Sequence, residues 1–267
     1  MNRTLTVLGA ALLLGSAASA QSIARRVSSV SDGTVRMTFA SRPGVCGDGA
    51  HSISFDCDDN DCRHHSNWSS DDRDGDVTSC PCEEGPVRLV LHIRGGKVYR
   101  LRAYVAGEWR PGGPEVTDLG RVGAVEASQY LLDLARQSEG RVGEEAIFPA
   151  TLADSVTVWP DLFKIARNQA VPTATRKSAV FWIGQAAGEA VTKGLDSLAQ
   201  GSDVDRDVRE SAVFALSQQR NDVGVPALIS IARTNKDPDI RKKAIFWLGQ
   251  SDDPRALALF EELLTRQ

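Results

Sequence analysis

The chain has 267 residues, of which 42% are hydrophobic and 25% charged, the balance of a folded globular protein rather than a disordered one. Its formal net charge of −4 supplies no global basic field, so nucleic acid is not an expected partner. Aromatic residues make up only 6%, low for a β-sandwich and ample for a helical protein.

At the start, Arg3 precedes an apolar run from Leu5 to Leu14, followed by small residues through Ala18-Ser19-Ala20. This is the pattern of a secretory signal peptide over 1–20, with cleavage expected after Ala20. The run is shorter than the ~20 apolar residues a membrane span requires, and no later stretch is long and apolar enough. The expectation is a soluble exported protein, periplasmic or secreted, with no membrane span. All five cysteines fall between positions 46 and 82: Cys46, Cys57, Cys62, Cys80 and Cys82. In an exported chain they are disulfide candidates, and an odd count leaves one unpaired. The expected pairs are Cys57 with Cys62, and Cys46 with either Cys80 or Cys82.

Residues 21–109 read as a small β-rich domain. Val35, Met37 and Phe39 alternate with polar neighbours, as do Val87, Leu89, Leu91 and Ile93, and then Tyr99, Leu101, Ala103 and Val105. Gly95-Gly96 between the last two runs makes them a hairpin. A plain two-residue loop would set Leu91 opposite Arg100 and divide the apolar faces. An odd loop (Ile93 opposite Tyr99, Leu91 opposite Leu101) or a bulge is therefore expected.

Between the first strand and the hairpin lies an insert, 41–86, rich in Gly, Ser, Asp and Cys. Asp72, Asp74 and Asp76 with Glu83 imitate the oxygen-ligand spacing of a Ca²⁺ loop, but Val77 stands where that loop needs Gly. A solvated acidic loop is the stronger reading. Cys57, Cys62, His64 and His65 are Zn²⁺ ligand types, although an oxidising compartment favours a disulfide. No cofactor is expected. Residues 110–122, opening on Arg110-Pro111-Gly112-Gly113-Pro114, read as a linker.

Beyond it the chain repeats. The segments beginning Gly143, Arg176, Arg209 and Arg241 stack into columns: Ala146, Ala179, Ala212 and Ala244 in one, and Phe148, Phe181, Phe214 and Phe246 in another. A companion helix goes with them at Leu131–Ala135, Leu162–Arg167, Leu195–Gln200, Leu228–Arg233 and Phe260–Leu264. Pro160 and Pro226, two repeats apart, fall near the starts of two companions. A two-helix unit of 32–33 residues predicts an α-solenoid over 123–267, with about four to five repeats. The pattern resembles HEAT repeats, especially the short bacterial, phycobilin-lyase-type kind. Asp203 and Asn235, each six residues before an Arg, and Asp237-Pro238-Asp239-Ile240-Arg241 are similar to that family's motif. The first unit departs from it, with Gly143 in place of Arg and Pro149 in the helix.

The Ala column, its Ile/Val neighbours and Ala150, Ile183, Leu216 and Leu248 form the expected core stripe. The Phe column flanks the stripe and reads as inter-repeat packing. Trp182 and Trp247, with Gln185, Gln218 and Gln250, fall on a face rotated off the core. The resemblance implies that these second helices line the concave surface. These residues, with Arg176, Arg209 and Arg241, make a candidate partner face. The opposing reading has the Trp covering repeat junctions and the Arg forming intra-solenoid salt bridges.

The expected function is a non-catalytic protein-binding or scaffolding module. A metal-binding or redox-sensing role of the 46–82 insert comes second, and a lyase-like enzyme on the repeats third. No His follows His92 and no Cys follows Cys82, and nothing pairs two acids for catalysis. The last repeat lacks a polar cap, and an open solenoid end predicts homodimerisation.

Overall fold

The structure, a computed structural model, describes residues 23–50, 52–58, 61–67, 82–186 and 188–265, with the backbone alone for 56–58, 61–67, 221 and 222. The expected signal segment 1–20, the acidic positions Asp72, Asp74 and Asp76, and Cys80 lie outside the described residues. Two compact units emerge. One holds the described residues up to Leu134 together with Pro149–Val156; the other holds Ala135–Phe148 and the described residues from Thr157.

The first unit contains two four-stranded sheets. One is built from β1 (Gly33–Phe39), β6 (Val87–Arg94), β7 (Lys97–Val105) and β8 (Val116–Arg121), in the order β7-β6-β1-β8. The other has the order β4-β3-β2-β5, from β2 (Cys46–Gly47), β3 (Ser52–Asp58), β4 (Asp61–Asn67) and β5 (Glu83–Glu84). Strand alternation puts Val35, Met37, Phe39, Leu89, Leu91, Leu101 and Val105 in the core, where none exposes any surface. Each such side chain contributes about 1.5–3 kcal/mol through burial. A helical turn at 23–28 (α1) and helix α2 (Ala124–Gln137) add Ile23, Val27, Ala127 and Leu131 to the buried set.

The β6–β7 hairpin solves its parity problem with a bulge. Gly95 and Gly96 both take positive φ, 55° and 71°, as a two-residue hairpin turn requires. The register then slips between His92 and Ile93, so Ile93 faces Val98, Leu91 faces Leu101 and Leu89 faces Ala103. The alternative pairing of Ile93 with Tyr99 is not formed. Tyr99 falls at the slip and is left largely exposed. Residues 116–121, read above as linker, instead form β8 parallel to β1. Cys46 pairs with Cys82 in a disulfide, and the Cys57 and Cys62 backbones face each other across β3 and β4. The chain after β1 is tied to 149–156: Ser41 bridges Ala153, Arg42 N–H donates to Leu152 O at 2.8 Å, and Asp154 N–H donates to Ala40 O at 2.9 Å.

The second unit is helical. Three pairs follow one another: α4 (Trp159–Arg167) with α5 (Thr173–Gly184), α6 (Glu189–Gln200) with α7 (Arg206–Ser217), and α8 (Asn221–Thr234) with α9 (Pro238–Leu248). They stand between α3 (Arg141–Thr151) and α10 (Pro254–Thr265). The second helices α5, α7 and α9 pack in succession, as do α6, α8 and α10, which is the stacking of a helical repeat. The Ala column and Ile183, Leu216 and Leu248 are fully buried, and these small and aliphatic residues form the interior; Ala150, also fully buried, belongs to the first unit. Gly143 replaces the repeat Arg for a steric reason: a Cβ there would lie 2.7 Å from Thr175 Oγ1. Pro149 lies within α3, and Pro226 lies inside α8 rather than at its start.

Candidate partner-binding groove

The arginine column has its partners inside the repeat. Arg176 is 3% exposed. Its Nε donates to Val171 O at 2.9 Å, and its Nη2 donates to Thr173 Oγ1 at 3.0 Å and to the Asp205 carboxylate. Asp205 is the N-cap residue of α7. One repeat on, Arg209 Nη2 meets Asp237 Oδ2 at 2.8 Å, while Asp237 Oδ1 caps α9 by accepting from Asp239 N–H at 2.9 Å. Arg241 turns back to its own turn, donating to Asn235 O at 2.7 Å and Lys236 O at 3.2 Å. Each of the first two arginines therefore ties one second helix to the start of the next. These contacts of Arg176, Arg209 and Arg241 all lie within the repeat, which is the intra-solenoid arrangement given above as the opposing reading.

The tryptophans cover the phenylalanines of the preceding repeat. Trp182 stacks on Phe148 with ring centroids 4.6 Å apart, and Trp247 lies 5.0 Å from Phe214. Phe148 is accordingly only 3% exposed. The Trp247 Nε1 atom is buried without a hydrogen-bond partner among the described residues, so the indole does not offer its polar edge outward. The column position between these tryptophans is Ala215, which cannot cover Phe181. Phe181 is 44% exposed as a result, and Phe246, on the last second helix, is 54% exposed. Trp182 and Trp247, both half-buried, lie over the Phe of the preceding repeat, and Phe181 and Phe246 are exposed beside them.

The missing cover leaves a groove of about 370 Å³ along α3, α5 and α7. Phe181 and Phe214 supply its apolar surface, Ser178 and Ser211 its hydroxyls, and Glu144 and Lys177 one charge of each sign. Such a lining offers apolar contact ringed by hydrogen-bonding and charged groups, the anatomy of a protein-contact patch. Of the expected glutamines, Gln218 and Gln250 are exposed, and Gln185 is half-buried at the end of α5. The groove was legible in one signal, the Trp–Ala–Trp interruption of a column that otherwise covers Phe. Among the described residues, no three His, Cys, Asp or Glu side chains converge as a metal site requires, and Glu83 is exposed on β5.

Residues 194–267 match the family model of HEAT repeats. That match takes in α6 from Gly194 onward and all of α7 to α10. HEAT repeats are in general interaction and scaffold modules. No curated protein matches the chain. No helix among the described residues is long and apolar enough to cross a membrane.

Proposed function

We propose that this protein is a non-catalytic binding or scaffolding module of the exported compartment, which holds a protein partner on the second-helix face of its repeats. The observation that carries the reading is the uncovered Phe181 over the α5–α7 groove, with Phe246 further along the same column. Exposed phenylalanines on packed helices are rigid anchors, and such residues dominate interface energies. The Trp-to-Phe contacts beneath keep the helices in register, so the surface is preorganised. Affinity capture from the exported fraction tests this, with the parent chain beside Phe181→Ser/Phe246→Ser, both shown to be folded by circular dichroism. Retention of one protein by the parent and its loss from the variant supports the reading. Equal retention by both baits removes it.

A second surface supports self-association. Leu257, Leu263 and Leu264 of α10 are all exposed. A mass above that of one chain by light scattering, reduced by Leu257→Glu/Leu264→Glu, is the expected result. A monomeric mass across a concentration series contradicts it.

A further inference from the structure

The β7-β6-β1-β8 sheet turns its apolar residues to the core and, by strand alternation, turns Thr34, Arg36, Arg88, Val90 and Tyr104 to its other face. Over that face lies a cleft of about 440 Å³, lined also by the 108–113 segment and by Val116 of β8.

Arg88 lines this cleft although it is only 5% exposed. Its Nε donates to Ala106 O at 2.7 Å, its Nη1 to Glu108 O at 2.7 Å and its Nη2 to Gly49 O. The guanidinium also lies 5.4 Å from the Tyr104 ring centroid and 5.0 Å from that of Trp109. None of these partners is anionic, and among the described residues no carboxylate stands within ion-pair distance of Arg88. Burial without a counter-charge is costly for a cation, and it pulls the Arg88 pKa below its ordinary value. Three of the five guanidinium N–H groups are used by carbonyls, which leaves donors for a further acceptor.

Arg36 stands beside it, 5.2 Å from the same Trp109 ring. Its Nε is paired with Asp118 Oδ2 at 2.8 Å, and its Nη1 donates to Arg110 O at 2.9 Å. One indole thus holds two guanidiniums, and the Asp118 carboxylate pairs with Arg36 alone. The rest of the lining holds Glu108 and Arg110, one charge of each sign, the Thr34 hydroxyl, and the apolar or small Val90, Val116, Ala50 and Pro111.

We propose that this cleft binds a small organic carboxylate, its oxyanion on the guanidiniums of Arg88 and Arg36 and its apolar body against Val90, Val116 and Pro111. Charge complementarity identifies the ligand's head, since Arg36, Arg88 and Arg110 stand against only the Asp118 and Glu108 carboxylates, which leaves the site one negative charge short. The apolar lining identifies its body. The assignment is independent of the helical groove and of any partner held there.

The test is a titration of the full mature chain with benzoate, read at the Trp109 indole N–H by NMR, with benzamide and sulfate as control probes. A saturable shift in the millimolar range or tighter is expected. Arg36→Gln should weaken it about tenfold by removing a charge-assisted contact, and Asp118→Asn should tighten it several-fold by freeing Arg36. Benzamide, the neutral isostere, should leave Trp109 unmoved, and sulfate should bind more weakly than benzoate. Arg88→Gln is not relied upon, because it also removes three carbonyl clamps. A shift that never saturates, or is unchanged in Arg36→Gln and Asp118→Asn, overturns the proposal. Equal binding of benzamide overturns it too, and sulfate as tight as benzoate rules out the organic carboxylate.

Discussion

Arg176 and Arg209 in the helical unit each meet the aspartate that starts the next second helix, whereas Arg88 in the β unit meets only carbonyls and aromatic rings. All three are strong hydrogen-bond donors removed at least partly from water. In the repeat, the period itself supplies the counter-ion, since an acidic N-cap recurs 28–29 residues after the arginine. The sheet has no such recurrence. Residues on its outer face are set by pleat alone, and an arginine there takes whatever the neighbouring strands and loops offer. A charge neutralised by its own scaffold builds structure, and a charge left over in a cleft is available to a ligand.

The contrast can be broken first at the covalent link. Cys46 and Cys82 close a loop with a sequence separation of 36 in the β unit. Replacing both with Ser should cost about 4 kcal/mol through the loop entropy regained by the unfolded chain, measured by denaturant unfolding. Next, Arg176→Ala should cost about 3 kcal/mol, because it strips a buried N–H cluster from Val171, Thr173 and Asp205. A loss below about 0.5 kcal/mol would mean the ladder is not structural. The smallest expected effect concerns Asp253, which caps α10 by accepting from the Arg255 amide and guanidinium; those bonds hold its carboxyl at about 2. The folded value is depressed, so the stabilisation is present above the ordinary carboxylate pKa of about 4 and is lost as pH falls towards 2. The gap in melting temperature between the parent and Asp253→Asn should close over that window.

His92 sharpens the comparison from the β side. Burial first, and then the charges of Arg100 and Arg102 on the same sheet face, lower its pKa. Its neutral form is favoured on folding, so its stabilisation is complete above the unfolded value of about 6.5 and declines as the solution is acidified. Melting of the parent against His92→Gln across pH 5–8 should show the two curves converging at the acid end.

The helical unit was readable because its period repeats. The buried Ala column, the companion helices and the core stripe all follow from residues recurring on one face. What periodicity could not give was the division of work between adjacent aromatic columns. Phe and Trp stand one residue apart, about 100° around a helix, and either could face the next repeat. The decision lies across the junction, where Trp182 reaches Phe148 and Ala215 fails to reach Phe181. Strand β8 escaped for a different reason: it is short, only Leu119 of its residues is buried, and Pro and Gly precede it. The hairpin parity argument led to the bulge because one face had to stay apolar. The choice of Cys82 over Cys80 for Cys46 depends on β2 pairing with β5, a contact between strands of two residues each that no pattern announces.

The division of the aromatic columns is tested most directly by Trp182→Ala and Phe181→Ala side by side, each melted and each used as bait. Trp182→Ala should cost about 2 kcal/mol by uncovering Phe148, a drop of roughly 4–8 °C. Phe181→Ala should melt within about 2 °C of the parent and lose the partner. If Phe181→Ala melts early and Trp182→Ala keeps its stability while losing the partner, the assignment of cover and surface is wrong.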